Sequence, residues 1–371
     1  GATIINDIDS LPESILFYRQ YLQWLGGLGI IVLAVAVLPM LGVGGMQLYK
    51  AETPGPMKDA KLTPRITETA KALWFIYVTM TVVCAVLYKV FGMSWFDAVC
   101  HTFTTMATGG FSTRSASIGA FNSAAVDWII TFFMFLAGIN FSLHYRALTG
   151  KPGAYWRAAE FRFYAILLLV VISVITLNVY VAALASFGAS LRQAAFTTVS
   201  IVTTTGFATA DFDQWPEAVR ILLVGMMFFG GCAGSTGGSM KIVRVYIIVK
   251  MMIREIKVFM RPSAVIQPKL GGKPIEPEII AHICAFFAIF VLVFALGSFI
   301  MTFFTPNLET AATSVIATLG NIGPGLNAVG ATQNYAAIPV AGQAFLTFLM
   351  LLGRLELYTV LILFLPSFWK R

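Results

Sequence analysis

Charged residues are scarce in this chain. Only 11% of its 371 residues are Asp, Glu, Lys or Arg, against roughly 25% in an ordinary soluble domain. No polar stretch is long enough to bury a core of its own, which excludes a separate soluble domain. Histidine is limited to three residues and cysteine to four: Cys84, Cys100, Cys232 and Cys284. The cysteines are far apart, lie in apolar surroundings and form no CxxC pair. Neither a metal cluster nor a disulfide framework is expected, and all four read as small buried residues. No nucleophile–base pair or metal-ligand cluster falls at a loop or membrane position, which excludes an enzyme and leaves no cofactor to expect. A starting methionine and a signal peptide are also missing. A chain that opens with Gly1-Ala2-Thr3 is expected to be a fragment that has lost its beginning.

Apolar residues make up 58% of the chain, and their arrangement predicts an all-α polytopic membrane protein. A crossing helix needs about 20 residues. Seven stretches suffice, at about 14–41, 70–91, 124–147, 161–187, 216–258 (interrupted), 279–304 and 340–365. Three shorter apolar stretches lie between them: Ser94–Ala107, Leu191–Thr204 and Leu308–Thr318. At about 1.5 Å per residue each reaches only part of the way through a ~30 Å hydrocarbon core. Ser94 followed by Asp97 is a capping-box pattern, so the first of them starts as a proper helix.

Each half-helix runs into a glycine loop. The first is Thr104-Thr105-Met106-Ala107-Thr108-Gly109-Gly110-Phe111-Ser112-Thr113; the second is Thr203 to Thr209, with Thr204, Thr205, Gly206 and Phe207 at its centre. A looser copy is Leu319-Gly320-Asn321-Ile322-Gly323-Pro324-Gly325, and Gly1-Ala2-Thr3 reads as the tail of one more. The succession of membrane helix, half-helix, glycine loop and membrane helix occurs in full over 69–148, 159–258 and 277–366, and residues 1–41 supply the last part of a fourth. One such loop alone could be an ordinary turn; three at corresponding positions argue for a repeat. The half-helix C-termini carry partial negative charge, which favours a cation in the loops. Four units around one axis make a pore, where non-helical backbone at membrane depth is tolerated. Inward-turned carbonyls there replace the water around an ion.

The charges that do occur are sorted. Of the 25 Lys and Arg, nineteen lie in 42–71, 144–162, 241–278 and the final Lys370-Arg371, with seven acids on that side. The glycine-loop side holds five basic residues and nine acids. The positive-inside rule puts the linkers in the cytoplasm and the glycine loops near the outer face, where the excess of acid raises the local cation concentration. The net charge of +8 is a topology signal and calls for no nucleic acid.

One crossing is interrupted by Gly230-Gly231-Cys232-Ala233-Gly234-Ser235-Thr236-Gly237-Gly238-Ser239. Each glycine costs a helix about 1 kcal/mol against alanine, so this crossing is expected as two helical pieces joined by a loop at mid-membrane depth. A phosphate-cradling loop would need Gly-Lys-Ser/Thr after a strand, and neither is present. A broken helix in a transport protein usually marks a site or a gate. Arg354 is the only basic residue deep in a membrane segment, so it should face protein or water. Glu356, two residues on, points to another face of a helix, which disfavours a direct pair. His101 and His144 are lone histidines, and His101, on a half-helix, reads as a packed residue.

These stretches, together with Gln23-Trp24-Leu25-Gly26-Gly27-Leu28-Gly29 and Gly353-Arg354-Leu355-Glu356, resemble the Trk/Ktr/HKT superfamily of potassium-uptake proteins, and within it the membrane subunits of bacterial Trk systems. The resemblance covers nearly the whole chain. It implies a potassium-channel-like fold of four pseudo-repeats, the first truncated, in the bacterial inner membrane. It implies that Gly1, Gly110, Gly206 and Gly323 are the filter glycines of repeats one to four, with Ala2, Thr108, Gly109, Phe111, Thr204, Thr205, Phe207, Asn321 and Ile322 beside them. K⁺ at the filter is the only metal it implies. Gly230–Gly238 would be the gating loop, with Arg354 near it. The fourth filter departs from the pattern, because Asn321-Ile322-Gly323 lacks the Thr-Gly core. In plant relatives a serine at the first filter glycine goes with sodium transport, so Gly1 argues for potassium. The implied partners are K⁺, the lipid bilayer, a second copy in a homodimer, and a cytosolic nucleotide-binding ring subunit (TrkA-like). The competing function is an alternating-access secondary transporter for a small solute or Na⁺, bound at the 230–238 break. Repeats of one sense and a single clearly broken crossing favour the channel. A membrane anchor without transport would leave the repeated glycine loops unexplained.

Overall fold

The computed structural model describes residues 1–36, 66–263 and 266–369. The end of the first expected crossing (37–41), most of the basic linker 42–71, and Lys370 and Arg371 lie outside the described residues.

The helices are α1 (Glu13–Ala36), α2 (Ile66–Val90), α3 (Trp95–Met106), α4 (Ala124–Ala137), α5 (Phe141–Leu148), α6 (Ala159–Val181), α7 (Phe187–Val202), α8 (Glu217–Met227), α9 (Ile242–Met260), α10 (Pro277–Met301), α11 (Leu308–Leu319), α12 (Val340–Arg354) and α13 (Leu357–Leu361). Only short helical turns fall between or after them. A hairpin of β1 (Lys269–Leu270) and β2 (Lys273–Pro274) is the one ladder among the described residues. At about 1.5 Å per residue, the 23–25 residues of α2, α6 and α10 span the hydrocarbon core. These helices are apolar around most of their circumference, and α10 leaves Leu292, Leu296 and Phe299 exposed on its outer side. That suits a surface facing lipid.

The three half-helices stand inside them. Each begins at a side-chain cap, which satisfies amides that a helix start leaves orphaned. Ser94 accepts from the Asp97 N–H, Ser186 from Ala189 and Asn307 from Thr310. The second starts at Phe187, four residues before the expected Leu191, because Ser186 is the cap that is available. Packing repeats with the sequence: α2 lies on α3, α6 on α7, and α10 on α11. The inner helices α1, α4 and α8 lie in turn on α3, α7 and α11, the next half-helix along the chain.

Two crossings expected as continuous are bent. The stretch 124–147 is α4 and α5 at 98° to each other, and 340–365 is α12 followed by a second helical piece at 117°. At the first bend Gly138 has no room for a side chain between Tyr164 and Thr203, and Asn140 caps a new helix by accepting from the Ser142 N–H at 2.8 Å. At the second, Glu356 adopts a left-handed φ of 58°. The 216–258 crossing is α8 and α9 separated by a non-helical loop over 228–241, as its glycines predict. All three inner crossings described past α4 are therefore interrupted, rather than one.

Candidate ion-conducting site

The three half-helices end in one geometry. In α3 the Thr108 N–H bonds Thr105 O and the Gly109 N–H bonds Thr104 O; in α7 Thr204 bonds Ile201 and Thr205 bonds Ser200; in α11 Asn321 bonds Thr318 and Ile322 bonds Ala317. This is the Schellman closure, which needs a left-handed residue just past the helix. Thr108, Thr204 and Asn321 take that position at φ 50°, 59° and 57°, and Gly110, Gly206 and Gly323 follow at 72°, 77° and 113°. Asparagine tolerates this region, whereas a β-branched threonine there is strained, by about 1–3 kcal/mol. The strain is held by surroundings: the Thr204 hydroxyl accepts from the Gly238 N–H at 2.6 Å, and the Thr108 hydroxyl donates to Ala107 O at 2.7 Å. Left-handed residues two apart turn the intervening backbone carbonyls towards one side.

The loops then meet in a ring. A side chain on Gly110 would overlap the carbonyl of Thr205, and one on Gly206 would overlap that of Ile322. One on Gly323 would come within 2.6 Å of the Gly1 Cα, and one on Gly1 would stand 3.1 Å from Ile322 O, 3.5 Å from Gly206 O and 3.6 Å from Gly109 O. Gly110, Gly206 and Gly323 thus each face the backbone of the next loop, the last of them facing the opening segment, and Gly1 stands among carbonyls of all three loops. All four glycines line one cavity of about 70 Å³, together with Arg19 and Tyr335.

Side chains behind the ring fix its outer carbonyls. Thr104 Oγ1 donates to Phe111 O at 2.9 Å and Ser200 Oγ to Phe207 O at 2.7 Å, from equivalent places on α3 and α7. Ala317, without a hydroxyl, occupies that place on α11, and in that loop Tyr335 donates its hydroxyl to the carbonyl one residue earlier, Gly323 O. Behind the first loop, buried His101 bridges Asp97 O and the Ser112 hydroxyl at 2.8 and 2.9 Å. The Asp97 carboxylate accepts from Thr113 at 2.6 Å, Ser94 at 2.8 Å and Arg114 at 3.1 Å. Burial pushes its carboxyl up, but these three donors outweigh burial and hold it below the ordinary carboxylate range. Further out, Asp211, Asp213 and Arg220 line a surface cavity of about 350 Å³. Burial raises the Asp213 carboxyl, against the Asn327 N–H that stabilises its charge.

The 230–238 loop lies directly against the base of the ring. Besides the Gly238–Thr204 bond, a side chain on Gly238 would come within 2.6 Å of Gly320 O, and one on Gly237 within 3.2 Å of Thr203 O. Other bonds tie the loop to the first bend: Cys232 N–H to Gly138 O at 2.8 Å, Phe141 N–H to Gly234 O at 3.0 Å, and Thr236 Oγ1 to Ala137 O at 3.3 Å. Glu160 accepts from the Ala233 N–H at 2.7 Å, and Lys241 donates to Gly237 O. Arg354 Nη1 donates to Thr236 O at 3.1 Å. It reaches the loop because Gly353 lets α12 close on α11, where a side chain would overlap Leu319 O. Ser235 is buried beneath Gly231.

The profile of the TrkH family, described as cation transport protein, matches residues 1–371. The chain belongs to that family. The Trk system potassium uptake protein TrkH of Halomonas elongata is 48% identical over 372 residues, covering 100% of this chain and 77% of that protein. The Trk system potassium uptake protein TrkG of Escherichia coli is 38% identical over 371 residues, covering 100% and 76%. The crystal structure of the potassium transporter TrkH from Vibrio parahaemolyticus superposes with a TM-score of 0.88 at 41% identity, covering 100% of this chain and 76% of that one. The polytopic all-α membrane fold is accordingly that of TrkH-family transporters.

Every residue expected at the TrkH-like filter or loop falls into one of these two clusters, and Asn321-Ile322-Gly323 keeps the backbone of the Thr-containing loops. Other expectations need correction. Cys284 is exposed on α10, while Cys84, Cys100 and Cys232 are buried. Glu356 does pair with an arginine, but with Arg244 at 2.6 Å. Gln23, Glu160 and Lys241 were not singled out as site residues. Their one sequence signal is polarity at the edge or inside of apolar segments, which does not say what they reach.

Proposed function

We propose that this chain carries K⁺ into the bacterial cell through a channel-like pore across the inner membrane. In this reading residues 1–41, 69–148, 159–258 and 277–366 are four repeats around one axis, the first of them partial. The filter is formed by Gly1 and Ala2, Thr108 to Phe111, Thr204 to Phe207, and Asn321 to Gly323. The observation that carries the reading is the convergence of four glycines: Gly110, Gly206 and Gly323 each pack on the next segment's backbone, and Gly1 stands among carbonyls of all three loops. A ring of that kind offers carbonyl oxygens from several loops to one ion and no room for a side chain. The potassium uptake named for the Halomonas and Escherichia relatives supports K⁺ as the ion.

The 230–238 loop is the gate in this reading, closed against the ring and held by Arg354, which also sets an electrostatic barrier below the filter. A homodimer and a TrkA-like cytosolic subunit are the proposed partners, docking on the basic linkers. Lys250 and Arg254 each spend a donor on the hairpin segment, at Lys269 O and Ile266 O, which leaves exposed Lys257 as the better docking contact on α9. The bends after α4 and α12 bring in the broken crossings of an alternating-access transporter. The repeats that carry them run in the same order of elements, whereas that class uses inverted ones.

The test is Gly110→Ser in the complete protein reconstituted in vesicles. A side chain at φ 72° that meets Thr205 O must open the ring. The K⁺/Na⁺ flux ratio is expected to fall while transport persists. An unchanged ratio refutes the filter assignment.

A further inference from the structure

Gln23 on α1 stands against the first complete glycine loop. The carbonyls of Thr205 and Ile322 point at the preceding filter glycine so closely that a side chain would overlap them. The corresponding carbonyl of the first complete loop is Gly109 O. It is turned to Gln23, whose Nε2 donates to Gly109 O at 2.9 Å. The Oε1 of the same amide accepts from the Phe111 N–H at 3.2 Å. One side chain therefore spans the filter glycine, holding the backbone on both sides of Gly110.

The clamp is built at both ends. At Gly109 a side chain would displace the Gln23 amide. α1 is anchored one residue on, where Trp24 Nε1 donates to Thr81 Oγ1 at 3.1 Å and Trp24 O accepts from Tyr77 at 3.1 Å. One turn earlier, Arg19 stacks on Phe111 at 4.4 Å from the ring centre. The amide thus reaches the loop from a rigid support. Among the described residues, no side chain donates to the carbonyls of Thr205 or Ile322 in this way.

We propose that Gln23 is a selectivity-determining positioning residue: its amide withholds the Gly109 carbonyl from the ion and fixes the width of the filter at that level. This rests on the reading of the glycine ring as the filter. A carbonyl bonded to a side-chain amide cannot follow a shrinking coordination shell. Freed from it, Gly109 O can turn inward, and the ring can close on the smaller Na⁺. K⁺ loses nothing in fit, so discrimination falls while K⁺ flux is maintained.

The test compares Gln23→Met and Gln23→Glu with Gly110→Ser and wild type, using K⁺, Rb⁺ and Na⁺ flux in vesicles and the thermal midpoint in detergent. Gln23→Met removes both bonds at nearly constant volume. Gln23→Glu keeps the acceptor for Phe111 but replaces the donor to Gly109 O with a repelling oxygen. The expected result is a K⁺/Na⁺ ratio lowered about two- to tenfold in both, the change one neutral hydrogen bond commands. A merely structural role would lower flux of all three ions together and leave the ratio alone. If Gln23→Met does not fold, Gln23→Glu decides by the same ratio. An unchanged ratio in the Gln23 variants with a shifted one in Gly110→Ser overturns this inference and leaves the filter standing. Unchanged ratios in all variants overturn both.

Discussion

Replacing Arg354 by alanine tests the gate most directly. The guanidinium donates to Thr236 O at 3.1 Å, in the middle of the loop that lies against the base of the ring. A hydrogen bond with one charged partner contributes roughly 1.5–3 kcal/mol, which is about ten- to a hundredfold in a two-state ratio. The lower end applies, because the loop keeps its other ties: Gly238 to Thr204 at 2.6 Å, Ala233 to Glu160 at 2.7 Å, and Cys232 to Gly138 at 2.8 Å. If the loop rests closed, its open fraction should rise about tenfold, as should K⁺ flux through vesicles that contain no other protein. Loss of the positive charge acts in the same direction by lowering the barrier to a cation. The K⁺/Na⁺ ratio should stay near wild type, since no filter contact is touched. Flux at or below wild type, from protein that is folded and correctly inserted, would mean that the loop is a packing break. Deleting Gly234–Gly237 should give the same increase by shortening the loop away from Thr204.

Two further expectations follow from single contacts. Thr204→Val removes the acceptor of the buried Gly238 N–H, at a cost of about 1–3 kcal/mol; a lowered thermal midpoint with raised resting flux is expected, and an unchanged midpoint would show that the amide has another partner. Asp97 is held below its ordinary value, so it binds fewer protons folded than unfolded. Its contribution is full above the unfolded value of about 3.9 and disappears as pH falls through that value towards the lower folded one. Thermal midpoints in detergent should therefore fall steeply below about pH 4 in wild type and less steeply in Asp97→Asn; equal slopes would refute the assignment.

Local features of this chain are legible from its sequence and long-range ones are not. Ser94 and Asp97 mark a helix start because a cap acts within three residues. The glycines of 230–238 mark a break because each one weakens the helix it sits in. The bends at Gly138 and at Glu356 are hidden, since the apolar run continues through both and hydropathy records composition, not direction. Asn321 looks unlike Thr108 and Thr204, yet it serves the same closure; the shared property is a left-handed backbone, to which different side chains can be fitted. Arg244 and Glu356, or Glu160 and Ala233, meet only after the whole chain has folded, and nothing in their neighbours announces the pairing.

The ring of glycines also sets an order of events in biosynthesis. Gly323 packs on Gly1, and beside them Asn334 donates to Asn6 across 328 residues and Tyr335 to Thr3 O. At about 5–20 residues per second, the opening segment waits roughly 15–65 s at the ribosome for its neighbour on that side. In the meantime α1 can already dock on α2 and α3, through Trp24 with Thr81 and Gln23 with Gly109. Closure of the circle falls to the final loop and its flanking helices. A nascent chain therefore holds no closed ring of glycine loops while its last helices are still entering the membrane.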